Sequence, residues 1–270
     1  MPKSPGSFRF ARRWPVRSTI QEKGGVNGME HREQDLTQYK VPPVLCRYRG
    51  KIPLRWGQDL ITLLPKANGE YCLDFGCGSG GAQQLIQEHG HRWIGIDISG
   101  DKVSVRSDGH HLPFKDETFA TAVSIAVFEH LYDPFSAARE IYRVLKPGGI
   151  LLGDVAFLEP FHANSYFHMT HLGIRKVLLG AGFHVLRLWP TRHLLEAEIE
   201  LCLPVRIPLV FPLFAGGARL LARGIMGIRS LGLRLYLSAN GRSVAEIKRR
   251  LEFDRLTWTG SIGFLAQKQE

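Results

Sequence analysis

A glycine-rich stretch, DFGCGSGG at residues 74–81, directly follows a short apolar run. Glycine has no Cβ atom, so a ligand can lie against the backbone there and can meet the free N–H groups of a strand-to-helix turn. Gly76, Gly78 and Gly81 satisfy the GxGxxG spacing, and Asp97 follows about twenty residues later at the end of the next apolar run. A nucleoside ligand is therefore expected at this turn, with its ribose hydroxyls on the Asp97 carboxylate.

Asp74 helps to decide between two nucleosides that use such a turn. NAD carries a pyrophosphate, which a second carboxylate beside the glycines would disfavour. S-adenosylmethionine carries an amino group, a sulfonium charge and no phosphate, so carboxylates suit it. The pair Asp74 and Asp97 therefore favours S-adenosylmethionine. NAD stays open as the alternative, and it would make the chain an oxidoreductase.

The elements that must position these residues alternate between strand-like and helix-like periods from residue 70 onward, which is typical of a parallel sheet covered by helices. Asp133 and Thr170 are the expected N-caps of two helices, and the KPGG sequence at 146–149 is expected to end the first of them. Helices are expected at 80–89, 134–145 and 171–180, and strands at 71–75, 92–97, 103–106, 120–126, 150–157, 184–190 and 259–268.

About seventy residues separate the last two expected strands, which is far longer than an ordinary connection. We expect two helices in this insertion, at about 216–237 and 243–252. The second begins with Ser243 and Glu246 at the spacing of a capping box. The first places arginines on one arc of the helix and aliphatic residues opposite: Arg219, Arg223, Arg229 and Arg234 against Leu220, Leu221, Ile225, Ile228, Leu231 and Leu235.

Four segments, in this order and spacing, resemble the class I S-adenosylmethionine-dependent methyltransferases, especially their type 11 domain. They are LDFGCGSGG, GIDIS, SDGHHLPFKDETFATAVSIAVFEHLYDP and AAREIYRVLKPGGILLGD, within roughly residues 55–190. The resemblance implies a methyltransferase of the α/β class. Its Rossmann-like, doubly wound sheet would have seven mostly parallel strands, an antiparallel last strand and a helical insertion between strands 6 and 7.

The resemblance also implies which residues bind the cofactor. Asp97 would hold both ribose hydroxyls, Asp108 would contact the adenine amino group, and Ile98 would pack on the adenine ring. Asp74 would support the turn or the amino group of the methionine. Capping by Asp74 and an Asx turn at Asp108 are the structural alternatives. The full expected set is Asp74, Gly76, Cys77, Gly78, Gly80, Asp97, Ile98, Asp108, Gly109, Ala126 and Val127.

Methyl transfer from a sulfonium mainly requires alignment of the acceptor and the methyl group in a water-poor pocket. A hydroxyl or acidic-carbon acceptor also needs a base, and the candidates are His162, His168 and His130. Ordinary structural roles remain the alternative for each of them. No metal is expected, because the histidines after the fifth strand have no clear carboxylate partner.

The expected partner is a small-molecule acceptor. An apolar run with prolines and a basic amphipathic segment lie within 203–237, which fits peripheral membrane contact or a lid over a lipid-like, quinone-like or polyprenyl-linked acceptor. If this segment only packs on the core, a soluble metabolite or saccharide-linked acceptor is expected. Nucleic acid is not expected, since AVFEHL stands where base-amine methyltransferases carry an Asn/Asp-Pro-Pro-aromatic stretch. A non-catalytic module that binds S-adenosylmethionine is the remaining alternative.

The net charge of +10 lies in basic flanks around a mildly acidic centre. The four cysteines include no CxxC pair, and the first residues contain no hydrophobic signal core, so a cytoplasmic protein is expected. The expected organisation is a disordered basic arm (1–28), an N-terminal helical cap (29–69), the cofactor-binding core (70–190), the helical insertion (191–258) and a final strand (259–270).

Overall fold

The computed structural model describes residues 57–159, 164–193 and 211–270. The strands are β1 (Tyr71–Phe75), β2 (Arg92–Asp97), β3 (Val105–Arg106), β4 (Phe119–Ile125), β5 (Leu145–Ala156), β6 (His184–His193) and β7 (Thr259–Gln267). The helices are α1 (Gln58–Leu63), α2 (Gln83–Glu88), α3 (Pro134–Val144), α4 (His171–Gly180), α5 (Phe211–Ala239) and α6 (Val244–Leu256). The expected basic arm at 1–28 lies outside the described residues.

The strands form one sheet in the order β3-β2-β1-β4-β5-β7-β6. Strands β1 to β5 pair in parallel, whereas β7 runs antiparallel to both β5 and β6. This confirms the expected seven-stranded, mostly parallel sheet with an antiparallel last strand. The chain builds outward from β1 to β3 and then returns to β4, so a crevice opens between β1 and β4 at their carboxyl ends.

Period-two alternation in β1 separates two apolar layers. Leu73 and Phe75 belong to the cluster under α3 and α4, while Cys72 faces the opposite cluster, which includes Leu60 of α1 and Ile86 of α2. All of these side chains are buried, so β1 is covered on both faces, as expected of a central parallel strand. The alternation puts Asp74 on the same face as Cys72.

Several element boundaries differ from the sequence-based expectation, and two of them have a local cause in the backbone. Helix α2 begins at Gln83 instead of residue 80, because Gly80 adopts a φ value of +72°, which a right-handed helix excludes. The KPGG segment does follow α3, but it forms the beginning of β5. There the Gly148 N–H donates to the Lys268 carbonyl, and the Lys268 N–H donates to the Gly149 carbonyl.

Three expected helix caps are confirmed. The Asp133 carboxylate accepts the Ser136 N–H at the start of α3, where Pro134 occupies the first turn. The Thr170 hydroxyl accepts the Gly173 N–H at 3.1 Å, and Ser243 begins α6 with a complete capping box. These side chains satisfy N–H groups that have no partner within the helix.

The expected helical insertion between β6 and β7 is also confirmed by α5 and α6. Helix α5 is held on α6 by Arg229, whose guanidinium donates to both carboxylate oxygens of Asp254 at 2.8 and 2.6 Å. The same guanidinium lies over the Trp258 ring, 4.8 Å from its centroid. Helix α6 is anchored in turn by Leu256, which is fully buried in the core of the sheet.

We expect Thr170→Ala to lower the free energy of unfolding by about 1 kcal/mol, because the Gly173 N–H loses its side-chain acceptor. Urea unfolding followed by circular dichroism measures this change. Thr170→Ser keeps the hydroxyl and serves as the matched control. Equal stability of the alanine and serine variants would contradict the capping role.

Candidate active site

A cleft of about 540 Å³ opens at the carboxyl ends of the parallel strands. Its volume is within the range of small-molecule and cofactor sites, and its position is the crevice that the strand order creates. Its walls come from the carboxyl ends of the parallel strands β1 to β5 and from the loops that follow them. The lining residues are Phe75, Gly76, Ile96, Asp97, Ile98, Ser99, Ser107, Asp108, Gly109, His110, Ala126, Val127, His130, Leu131, Tyr132, Asn164 and Tyr166.

The glycine turn is fastened to the neighbouring strand β2. The N–H groups of Gly76 and Cys77 both donate to the Ile96 carbonyl at 2.9 Å. The Gly78 N–H donates to Oδ2 of Asp97 at 2.8 Å, and the Gly80 N–H returns to the Cys77 carbonyl. Four amides of the turn are therefore already hydrogen-bonded within the protein.

Gly76 shows why the turn needs glycine. Its φ value is +74°, and a Cβ atom there would lie 2.4 Å from Cγ2 of Val127. A side chain would therefore both strain the backbone and collide with the opposite wall of the cleft. Gly76 lines the cleft, whereas Cys77, Gly78 and Gly80 lie outside its lining.

Asp97 is fixed at the wall of the cleft. Its Oδ2 accepts the Gly78 N–H at 2.8 Å, and its Oδ1 accepts the Ser99 N–H at 3.1 Å. Each carboxylate oxygen can accept a further hydrogen bond, so Asp97 retains the capacity to bind two hydroxyl donors. Ile98 beside it is 73% exposed, and so offers an apolar surface at the mouth of the cleft.

Asp74 does not line the cleft, because its position in β1 turns the side chain toward the layer of α1 and α2. Its Oδ2 accepts the indole N–H of Trp93 at 2.9 Å. Burial raises the pKa of Asp74 to about 6, although the Trp93 hydrogen bond opposes this shift. This geometry does not support the expected contact of Asp74 with the amino group of the methionine. The other expected role of Asp74, support of the glycine turn, remains a prediction.

Asp108 and Gly109 line the cleft together with a residue that the sequence did not single out, His110. Oδ1 of Asp108 accepts from both the backbone N–H and the Nδ1 of His110. The Nε2 of the same ring accepts the Asp133 N–H at 3.3 Å, which assigns the proton to Nδ1. The pKa of Asp108 is lowered, and the largest cause is the hydrogen bond that its carboxylate accepts from the His110 backbone N–H.

Tyr132 stacks on the buried His110 ring with a centroid distance of 3.9 Å. Its own side chain is 59% exposed, and Tyr166, which also lines the cleft, is 63% exposed. Both tyrosines were absent from the sequence-based set. Tyr132 follows the EH pair after β4 and could have been found from that position, but Tyr166 lies in a segment after β5 without a recognisable pattern.

Ala126 and Val127 line the cleft at the end of β4, as the resemblance implies they should. Ala126 adopts φ +54°, which is unusual for a residue with a side chain. Its N–H donates to Oδ1 of the buried Asp154 at 2.9 Å and also approaches the Asp154 carbonyl. Asp154 therefore holds a strained backbone at the bottom of the site.

The three candidate bases occupy different places. His130 lines the cleft, and its Nδ1 lies 3.0 Å from the Asn164 carbonyl. His168 is outside the lining, with its Nδ1 3.2 Å from the Phe157 carbonyl. His162 lies outside the described residues. In the part of the chain that the structure describes, no group of three or more His, Cys, Asp or Glu side chains could hold a metal ion.

Together, the strand order, the glycine turn and the cleft define a Rossmann-like nucleoside-binding domain. Residues 73–153 match the family model described as a methyltransferase domain, of type 11. This part of the chain is therefore a class I S-adenosylmethionine-dependent methyltransferase domain, and the resemblance seen in the sequence is confirmed. S-adenosylmethionine is the cofactor of this family.

Curated relatives with different acceptors match this domain. A protein of Mycolicibacterium smegmatis named as a probable S-adenosylmethionine-dependent methyltransferase is 30% identical over 46% of this chain and 55% of its own length. The 2-methyl-6-phytyl-1,4-hydroquinone methyltransferase of a Synechocystis species is 34% identical over 43% and 42%. The mouse 18S rRNA (guanine-N(7))-methyltransferase is 35% identical over 39% and 44%. The chain thus spans about half the length of the curated relatives it matches.

Among solved structures, the crystal structure of the [4+2]-cyclase SpnF is similar with a TM-score of 0.50. It is 19% identical and is covered over 79% of its length, against 78% of this chain. At this identity the likeness concerns the fold alone. It supports the seven-stranded architecture described above.

The pKa of Asp74 predicts a pH dependence of stability. Native Asp74 keeps its proton up to about pH 6, whereas in the unfolded chain it releases the proton at about pH 3.9. The native state binds more protons in this window, so the contribution of Asp74 is most favourable below about pH 4 and is lost as the pH rises to about 6.

Asp74→Asn cannot ionise, so this dependence should disappear. We expect the stability of the variant relative to wild type to increase by about 2 to 3 kcal/mol from about pH 4 to about pH 7. Urea unfolding of both proteins across this range measures the difference. Parallel curves for the two proteins would show that Asp74 does not titrate in this window.

Proposed function

We propose that this chain transfers a methyl group from S-adenosylmethionine to a small, largely apolar acceptor. The observation that carries this proposal is the charge of the cleft. Asp97 and Asp108 both line it, and among the described lining residues there is no Lys or Arg. A carboxylate-lined cleft suits a sulfonium, an amino group and a neutral ribose. Its described lining offers no Lys or Arg to a pyrophosphate.

The hydrogen bonds of the turn support the same preference over NAD. A dinucleotide site uses the free amides of its glycine turn for the pyrophosphate. Here four of these amides already have acceptors within the protein. Gly76 and Cys77 donate to the Ile96 carbonyl, Gly78 to the Asp97 carboxylate, and Gly80 to the Cys77 carbonyl. Binding a phosphate would break these bonds and would bring it beside the Asp97 carboxylate.

The residues present fit S-adenosylmethionine at definite places. Asp97 would accept the ribose hydroxyls, Ile98 would pack on the adenine, and Asp108 would accept from the adenine amino group. Gly76 leaves room for the methionyl part against Val127. When bound, this cofactor supplies an electrophilic methyl group on a cationic sulfur, and Val127 and Leu131 would offer apolar side chains to the acceptor.

The exposed rings around the cleft support an apolar acceptor. Tyr132 and Tyr166 offer two aromatic surfaces at the cleft, and exposed Phe167 follows Tyr166 in the chain. The Synechocystis relative is named for a phytylated hydroquinone, which is such a compound. The mouse relative is named for rRNA, but the described lining of this cleft offers no cation for a phosphate backbone.

His130 is the base that the geometry favours for a hydroxyl or acidic-carbon acceptor. A carbonyl can only accept a hydrogen bond, so the contact with Asn164 places the ring proton of neutral His130 on Nδ1. Nε2 would then take the acceptor's proton as the acceptor atom bonds to the methyl group and the carbon–sulfur bond breaks. A cytoplasmic enzyme that meets its acceptor at a membrane would fit this chemistry.

The cofactor preference is tested by calorimetry with S-adenosylhomocysteine and with NAD. We expect the wild type to bind S-adenosylhomocysteine and not NAD, and Asp97→Asn to weaken that binding by about 10- to 100-fold through loss of charged hydrogen bonds. Asp101→Asn, a nearby exposed carboxylate, is the matched control. Binding of NAD alone would exclude the proposed function.

The role of His130 is tested by transfer of a labelled methyl group to a lipid extract. We expect His130→Gln to lower the rate at least about 100-fold while the affinity for S-adenosylhomocysteine stays the same. His168→Gln is the control, because His168 lies outside the cleft lining. A normal rate in His130→Gln would exclude this histidine as the base. Retained cofactor binding without transfer by the wild type would instead favour the non-catalytic module.

A further inference from the structure

Helix α5 has a wide apolar face that faces solvent. Its exposed large apolar side chains are Leu220, Leu221, Ile225, Ile228, Leu231, Leu235 and Tyr236, and Ile228 reaches 76% exposure. At about 100° per residue these positions fall on one half of the helix surface, with glycines between them and no charged residue. We call this surface the α5 face. A continuous apolar surface of this kind usually marks an interaction site.

The opposite side of α5 fixes the direction in which the α5 face points. Met226, Ser230 and Leu233 lie on that opposite side and are half-buried. Arg229, at one margin of the α5 face, holds the helix through its two hydrogen bonds to Asp254. The contacts of α5 with α6 therefore use the other side of the helix and leave the α5 face outward.

The charge of the helix indicates what covers this face. Arg219, Arg223, Arg229 and Arg234 are the charged residues of α5, and its 29 residues include no Asp or Glu. Arg234 is exposed, and its helical position is at the margin of the α5 face. An apolar face with the exposed Arg234 at its margin, on a helix that has arginines and no acidic residue, matches the acyl and phosphate layers of an anionic membrane surface. A second copy would bring like charges together, so it fits less well.

The insertion joins the sheet at the same end of the strands as the cleft. Ser261, near the start of β7 and just after α6, pairs with Ala156 at the carboxyl end of β5. The cleft opens at the carboxyl ends of the same parallel strands. His171, which begins α4, meets Phe253 of α6 edge to face at a centroid distance of 5.2 Å. Helix α6 is thus packed beside the chain segment that leads from the cleft residue Tyr166 into α4.

We propose that the α5 face lies on an anionic membrane surface and docks this protein there as a peripheral protein. Among the described helices, none is both long and apolar enough to cross a bilayer, so α5 would lie in the plane of the interface. Docking by α5 does not require the proposed function. The delivery of an apolar acceptor from the membrane to the cleft does rest on it.

Flotation of the full chain with vesicles tests the docking. The vesicles consist of phosphatidylcholine alone or of phosphatidylcholine with phosphatidylserine. We expect binding to the anionic vesicles, and an at least tenfold weaker partition of a Leu231→Ser, Leu235→Ser double variant. Leu172→Ser with Leu179→Ser, on exposed positions of α4, is the matched control and should bind like wild type.

The electrostatic part is tested with Arg234→Ser. This variant should lose affinity for the anionic vesicles at low salt, and the difference from wild type should shrink at high salt. Equal binding of the Leu231→Ser, Leu235→Ser variant and wild type, or no binding of wild type to anionic vesicles, would overturn the proposal. A lipid-free wild-type dimer that the double variant turns into a monomer, without vesicle binding, would assign the α5 face to a second copy.

The same samples separate this proposal from the proposed function. Asp97→Asn should float with anionic vesicles like wild type, and the α5 double variant should bind S-adenosylhomocysteine like wild type. Vesicle binding by a wild type that does not bind S-adenosylhomocysteine would leave the membrane docking standing and remove the proposed methyl transfer. Binding of S-adenosylhomocysteine without vesicle binding would remove the membrane docking and leave the proposed methyl transfer standing.

Discussion

The attachment of the glycine turn to β2 is the constraint on which the site depends. Two successive amides, from Gly76 and Cys77, share the Ile96 carbonyl, and the next amide, from Gly78, binds the Asp97 carboxylate. These bonds hold the turn back against the sheet and orient Asp97 along the wall of the cleft. They also use the donors that would otherwise attract phosphate. The same backbone contacts thereby leave space for a nucleoside and disfavour a nucleoside that carries phosphate groups.

Much of the architecture could be predicted because it follows from local signals. The apolar runs of β1 and β2, the caps at Asp133 and Thr170 and the capping box at Ser243 depend on residues close together in sequence. The motifs of the core also carried the family resemblance. The positions of these motifs in the chain predicted six further residues that do line the cleft: Asp97, Ile98, Asp108, Gly109, Ala126 and Val127.

The details that could not be predicted depend on contacts distant in sequence. Asp74 is adjacent to the glycines, yet the alternation along β1 and the Trp93 indole turn its carboxyl away from the cleft. The KPGG segment reads as a helix stop, but pairing with the distant β7 makes it part of a strand. His110 is held in the cleft by contacts with Asp108, Tyr132 and the Asp133 N–H. No sequence pattern predicts these contacts.

The position of β7 between β5 and β6 has a consequence for folding. Strand β6 pairs only with β7 in the described sheet, although β7 comes later in the chain than the whole α5–α6 insertion. Strand β6 therefore has no paired strand until β7 is in place. The cost of closing a longer loop grows only with the logarithm of its length, so the insertion can vary in size with little effect on the final pairing. What the topology does require is that β7 pairs with β5 and β6 across long stretches of chain, and such non-local pairings slow folding.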